Sequence, residues 1–191
     1  MKKLIVVAVV SLSLRAFAQF PDANALKAAA EKAGQGAATE AQAQGKKEVK
    51  KIATEQVENK VNEKLLAEAK KNQCAFKSNS DKFQGKCDKQ VQKIFDSLID
   101  AKKALKDAGI EGFKFEVSGH TDSKGDAAKN KALSEKRAAK MVAELKKKGV
   151  PDNEIIAVGM GSEQLLVKPD DTKQKQAQNR RYEVRVRLST P

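Results

Sequence analysis

At 191 residues the chain has room for one ordinary domain and an appendage, and its formal charge of +13 makes it strongly basic. No aromatic residue lies between Asn24 and Asn72, whereas Phe76, Phe83, Phe95, Phe113, Phe115 and Tyr182 all follow, so one hydrophobic core is expected in the second part of the chain. Two cysteines and one histidine are too few for a zinc centre, and no segment beyond the N-terminus approaches the ~20 apolar residues of a membrane-crossing helix.

The chain opens on Lys2 and Lys3, an apolar run over residues 4–14 and Ala16-Phe17-Ala18. That order is the pattern of an export signal over residues 1–18, with cleavage before Gln19. An exported protein rarely meets chromosomal DNA. The positive charge therefore points to an anionic wall polymer or membrane surface rather than to nucleic acid. The first cysteine is Cys74, so none follows the signal closely enough to carry a lipid. The mature chain is expected to be exported and to carry no transmembrane segment.

Residues 19–72 read as a tether rich in Ala, Lys, Glu and Gln. Gly34, Gly36 and Gly45 interrupt its first part, which reads as loosely helical or disordered. Over residues 49–71 a cleaner helix carries a narrow stripe of Val49, Ile52, Val57, Val61 and Leu65. The stripe is too sparse for a globular core. It suits a solvated spacer, and it also suits docking on an envelope protein or on a second copy of the chain. Cys74 and Cys87 then frame a polar loop. In an oxidising compartment such a pair closes a disulfide, and the rival reading as metal ligands lacks partners.

The domain spans residues 73–191. A short first strand is expected over residues 74–78, then a helix from about Asp88 to Ala108 with Val91, Ile94, Phe95, Leu98, Ile99 and Leu105 inward. Residues 113–117 alternate as a half-buried strand, and residues 126–148 form a second long helix. A strand over 155–158, a short helix near 172–178 and an alternating strand over 182–188 complete the order β-α-β-α-β-(α)-β. The fold class is α+β: a two-layer sandwich with a mixed sheet, preceded by the helical tether.

Two polar clusters are hard to explain by packing. Gly119-His120-Thr121-Asp122-Ser123-Lys124-Gly125 forms the turn between strand and helix, and Asn130, Leu133, Ser134 and Arg137 share one face of that helix. A carboxylate and a guanidinium across a ligand-sized gap suit a zwitterion. Other roles stay open at this point: Asp122 as a cap of the following helix, Arg137 in an exposed ion pair with Glu135, and His120 as a structural, hydrogen-bonded residue. No Ser or Cys is accompanied by a base and an orienting acid, so no nucleophilic site is expected.

These residues resemble the OmpA-like C-terminal domain family, found in outer membrane protein A and in peptidoglycan-associated lipoproteins. The resemblance runs from Gly119-His120-Thr121-Asp122 through Asn130, Leu133-Ser134 and Arg137-Ala138 to Gly149-Val150. It resumes at Gly159-Met160-Gly161-Ser162-Glu163 and Asn179-Arg180-Arg181. It implies a non-catalytic peptidoglycan-binding domain without a cofactor or metal, in the periplasm and associated with the cell wall near the outer membrane. Asp122 would contact the ammonium of a stem-peptide diaminopimelate and Arg137 its carboxylate, with Thr121, Asn130, Leu133 and Arg180 around them. The chain departs from the family pattern at Lys129, Met160, Leu165-Leu166 and Lys175-Gln176-Ala177, around the pair rather than on it. The alternatives are a structural adaptor working through the 49–71 helix, and a general polyanion binder.

Overall fold

The computed structural model describes residues 35–189, so the expected export signal and the first residues of the tether lie outside the described residues. The chain forms two units, Met1–Ile52 and Ala53–Pro191. Helix α1, Gln35–Lys71, is 37 residues long and contains both Gly36 and Gly45. The Ala-, Glu-, Gln- and Lys-rich sequence around them outweighs the ~1 kcal/mol that each glycine forfeits in a helix.

Within the second unit, α1 is not a solvated spacer. Val61, Leu65 and Ala69 are buried in the core and Val57 packs against it. Each lies four positions along the chain from the next, so they form one narrow seam, and a core shared with other elements needs no broader stripe. Helix α2, Asp88–Asp107, buries Val91, Ile94, Leu98, Ala101 and Leu105. Ile99, expected inward, is 49% exposed, because it sits well round the helix from the Ile94–Leu98 line. Gly109 stops this helix in the left-handed region, where Ile110 N–H reaches back to the Leu105 carbonyl at 2.9 Å.

Strand β1, Phe113–His120, helix α3, Ala127–Lys147, and strand β2, Ile155–Gly161, follow in order. The seven-residue helix α4, Lys173–Asn179, then leads to strand β3, Tyr182–Leu188. The sheet order is β2-β1-β3, with β1 parallel to β2 and antiparallel to β3. Phe115, Val117, Val184 and Val186 alternate inward and are almost wholly buried with Met141 and Leu145 of α3.

The strand expected over residues 74–78 does not join the sheet; Phe76 makes a single antiparallel bridge to Phe83. The edge of β3 is occupied by side chains instead. Asn62 accepts from Val186 N–H at 2.7 Å and donates to its carbonyl at 3.3 Å. Gln73 does the same for Tyr182, at 3.1 and 2.9 Å. Two carboxamides thus imitate a neighbouring strand and satisfy backbone groups that an edge leaves open.

Two glycines fix the position of α3 on the sheet. A Cβ at Gly119 would collide with the Ser134 carbonyl, and one at Gly159 would sit 2.6 Å from the Lys131 carbonyl oxygen. Ser134 completes the contact: its hydroxyl donates to Lys131 O at 2.7 Å and accepts from Gly161 N–H at 2.8 Å. The first half of α3 is thereby pressed against the C-terminal end of β1.

Candidate functional site

At that end β1 divides its last hydrogen bonds between its neighbours. His120 N–H donates to Arg181 O and Thr121 N–H to Gly161 O, both at 2.8 Å. The chain then turns, and Asp122 Oδ1 accepts from Lys124 N–H at 3.1 Å. Asp122 does not cap α3. Asp126 does, accepting from Lys129 N–H at 2.8 Å. Asp122 Oδ2 is instead paired with Arg180 Nη1 at 2.7 Å. Asn130 reaches back from α3 to the Lys124 carbonyl at 2.8 Å and ties the turn to the helix.

Arg137 projects from the same face of α3, two turns further on, and is 9% exposed. It makes no ion pair with Glu135. Its Nε donates to Ser80 O at 3.0 Å and its Nη2 to Lys77 O at 3.3 Å, with the guanidinium carbon 5.2 Å from the Phe76 ring centre. Burial and the nearby Arg180 charge lower the Arg137 pKa from its usual value, while Asp122 and Asp81 oppose them. The group still stays protonated at neutral pH.

Thr121, Asp122, Asn130, Leu133, Arg137 and Arg180 all line one cleft of about 970 Å³. The residues selected from sequence are therefore brought together, the acid and the base facing one hollow rather than separate surfaces. Lys77, Lys124, Lys173 and Arg181 also line it, so cations greatly outnumber the single carboxylate, Asp122. His120 lies at its floor, 1% exposed, with Nε2 3.4 Å from Ser118 Oγ and 4.0 Å from Glu183 Oε2. Burial, then the Arg181 charge, push its pKa down to about 4 against the pull of Glu183, so the ring is neutral at pH 7. Two buried polar atoms have no protein partner among the described residues, His120 Nδ1 and Thr121 Oγ1.

Sequence reasoning missed the scaffold behind Asp122. Asp170, in the stretch after β2, accepts from both the backbone N–H and the hydroxyl of Ser123. It also accepts from Asn179 Nδ2 at 3.1 Å. Asn179 in turn accepts from Leu166 and Val167 N–H at 2.8 and 3.0 Å and donates to the Val167 carbonyl at 3.1 Å. The Ser123 hydroxyl and backbone N–H, with Asn179, hold the Asp170 carboxyl below its usual range. This knot fixes the Asp122 turn and the residue before Arg180 together. Asp170 carried no sequence signal beyond its place after Pro169. The Cys74–Cys87 disulfide is formed, with its Cα atoms 5.8 Å apart.

The model of the OmpA family matches residues 75–180. The chain belongs to the OmpA family. All six cleft residues selected from sequence fall inside the matched span. Outer membrane porin F of Pseudomonas fluorescens is 45% identical over 71 residues, which is 37% of this chain and 22% of that protein. The chain thus spans less than a quarter of that relative. Among solved structures it is similar to the periplasmic domain of Helicobacter pylori MotB, with 17% identity and a TM-score of 0.50, covering 61% of this chain and 77% of that one. It is also similar to the peptidoglycan-associated lipoprotein from Burkholderia pseudomallei, with 24% identity and a TM-score of 0.49, covering 61% and 90%. The likeness to the MotB domain is one of fold, and it agrees with the α+β sandwich expected from the sequence.

Proposed function

We propose that this OmpA-family chain is a non-catalytic, periplasmic binder of peptidoglycan that ties the wall to another envelope component. The ligand is the diaminopimelate of a stem peptide. One observation carries the reading: Asp122 and Arg137, supplied by different elements, face a single cleft. The Asp122 carboxylate gives one oxygen to Arg180 and the other to the Lys124 backbone N–H. Roughly two of its four lone-pair sites remain for an ammonium, so a ligand need not displace Arg180. Arg137 Nη1 makes no hydrogen bond among the described residues, so both of its N–H groups are left for a ligand carboxylate. The surplus of cations suits a stem peptide, which carries more carboxylates than ammonium groups.

Titration calorimetry with a soluble diaminopimelate tripeptide tests this. Asp122→Ala and Arg137→Ala are each expected to weaken binding at least about tenfold, in line with the ~1.5–3 kcal/mol of a hydrogen bond to a charged group. Wild-type affinity in either variant would remove that residue from the role.

A second reading, an adaptor working through α1, draws on the exposure of Val49 (65%) and Ile52 (47%). Sedimentation of the mature protein with and without residues 19–52, a deletion that removes Val49 and Ile52 and spares the buried Val61, Leu65 and Ala69, distinguishes it: loss of self-association on deletion, with no stem-peptide binding by the intact chain, would favour the adaptor.

A further inference from the structure

We propose that the disulfide-closed loop of residues 74–87 is the positioning device for Arg137, and that it sets how tightly the cleft holds a carboxylate. The inference rests on the wall-binding reading above and adds a part of the molecule that the reading does not use.

An arginine on a helix face is a long side chain with much rotamer freedom to lose. A carboxylate neighbour commonly fixes such a group, yet Arg137 forms no ion pair among the described residues. Its holding contacts come from elsewhere: the Ser80 carbonyl at 3.0 Å, the Lys77 carbonyl at 3.3 Å and the Phe76 ring at 5.2 Å. All three residues lie inside the ring closed by Cys74 and Cys87. Neutral acceptors orient the guanidinium without cancelling its charge, which leaves that charge for a ligand.

The ring is built to present those groups. Phe76 bridges Phe83, with ring centres 5.1 Å apart. Gln84 N–H donates to Ala75 O at 2.8 Å and Lys77 N–H to Lys82 O at 2.9 Å. Ser80 N–H donates to Lys77 O at 3.2 Å, across a turn in which Asn79 takes φ 49°. The loop stands outside the three-stranded sheet. Without ladder bonds to the sheet, its ends are held by the disulfide and by the burial of the two cysteines, 5% and 8% exposed. Opening the ring would release the two carbonyls and the aromatic face together, and Arg137 would sample other rotamers.

The test is a double-mutant cycle read by calorimetry with the diaminopimelate tripeptide, using the whole mature chain. The paired change Cys74→Ala with Cys87→Ala is expected to weaken binding by about tenfold in the parent and by no more than about twofold in an Arg137→Ala background. The Arg137 Nε–H NMR resonance, protected by Ser80 O in the parent, is expected to shift and exchange faster once the ring is open. Equal affinity with the ring open, or an equal loss in both backgrounds, would overturn the inference while leaving wall binding intact. If the paired cysteine variant does not fold, Phe76→Leu with the disulfide in place substitutes for it in the same cycle, with the same criteria. A parent protein that ignores the tripeptide would overturn the wall-binding reading and this inference with it.

Discussion

Asp122 and Arg180 meet at the mouth of the cleft, Oδ2 to Nη1 at 2.7 Å, although 58 residues separate them in sequence. Their pairing joins the turn after β1 to the segment just before β3. The Asp170–Asn179 knot joins the same two segments from behind. The carboxylate is therefore held from two directions, and its orientation does not depend on Arg180 alone.

Arg180→Ala separates the two roles of that pair. The Arg180 side chain is 42% exposed, so its ion pair is worth at most about 1 kcal/mol to folding. The melting temperature is expected to stay close to the parent's. Binding of the diaminopimelate tripeptide is expected to fall by about three- to tenfold, because a cation facing the ligand's carboxylates is lost. A large drop in melting temperature would show that Arg180 is chiefly structural.

The lysines around the cleft make a distinct prediction. Lys77, Lys124 and Lys173 line it, and their ammonium groups form no ion pair among the described residues. Changing all three to Gln is expected to lower tripeptide affinity at low ionic strength and to flatten its dependence on salt. Screening shortens the reach of such charges to about 10 Å at 0.1 M. Steep salt dependence with equal affinity for poly-glutamate, unaffected by Asp122→Ala, would identify a general polyanion binder instead.

Much of this was legible because periodic signals repeat. The alternation of Phe113, Phe115 and Val117 and of Tyr182, Val184, Val186 and Leu188 gave two strands, and Gly109 and Gly149 gave two helix ends. The cleft was legible because Asn130, Leu133 and Arg137 follow helical spacing beside an unusual turn. What stayed hidden depends on single polar residues with no period. Asn62 and Gln73 look like ordinary helix-surface positions, yet they occupy the β3 edge where a strand over residues 74–78 was expected. Val61 and Leu65 looked too sparse for a core because the surface that covers them comes from elsewhere in the fold.

Asn179→Ala tests the scaffold behind the site. The substitution strands Leu166 N–H, Val167 N–H, the Val167 carbonyl and one bond to Asp170 in an environment where Asn179 is 0% exposed. An unsatisfied buried group costs about 1–3 kcal/mol, so a loss of about 2–4 kcal/mol is expected from urea denaturation. A change below about 0.5 kcal/mol, the range of ordinary surface substitutions, would mean that water replaces the amide without penalty.

His120 gives the fold a dependence on mild acid. Its pKa falls from 6.5 to about 4 in the folded chain, burial being the largest cause and the Arg181 charge the next. Between those values the unfolded chain binds a proton that the folded chain refuses. Stability is therefore complete above about pH 6.5 and declines as the pH falls toward 4, by at most about 1.4 kcal/mol per pH unit from this one group. Glu183 acts lower in the range: burial works against its charge, but hydrogen bonds from Arg185 and Arg181 outweigh burial and hold its carboxyl below the usual value. Loss of that contribution belongs below about pH 4.5. Urea denaturation of the parent and of His120→Gln at intervals from pH 7 to 4.5 isolates the histidine, since Gln fills similar space without titrating. The parent is expected to lose stability across this window and the variant to lose distinctly less; parallel curves would show that His120 protonates as readily in the folded chain as in the unfolded one.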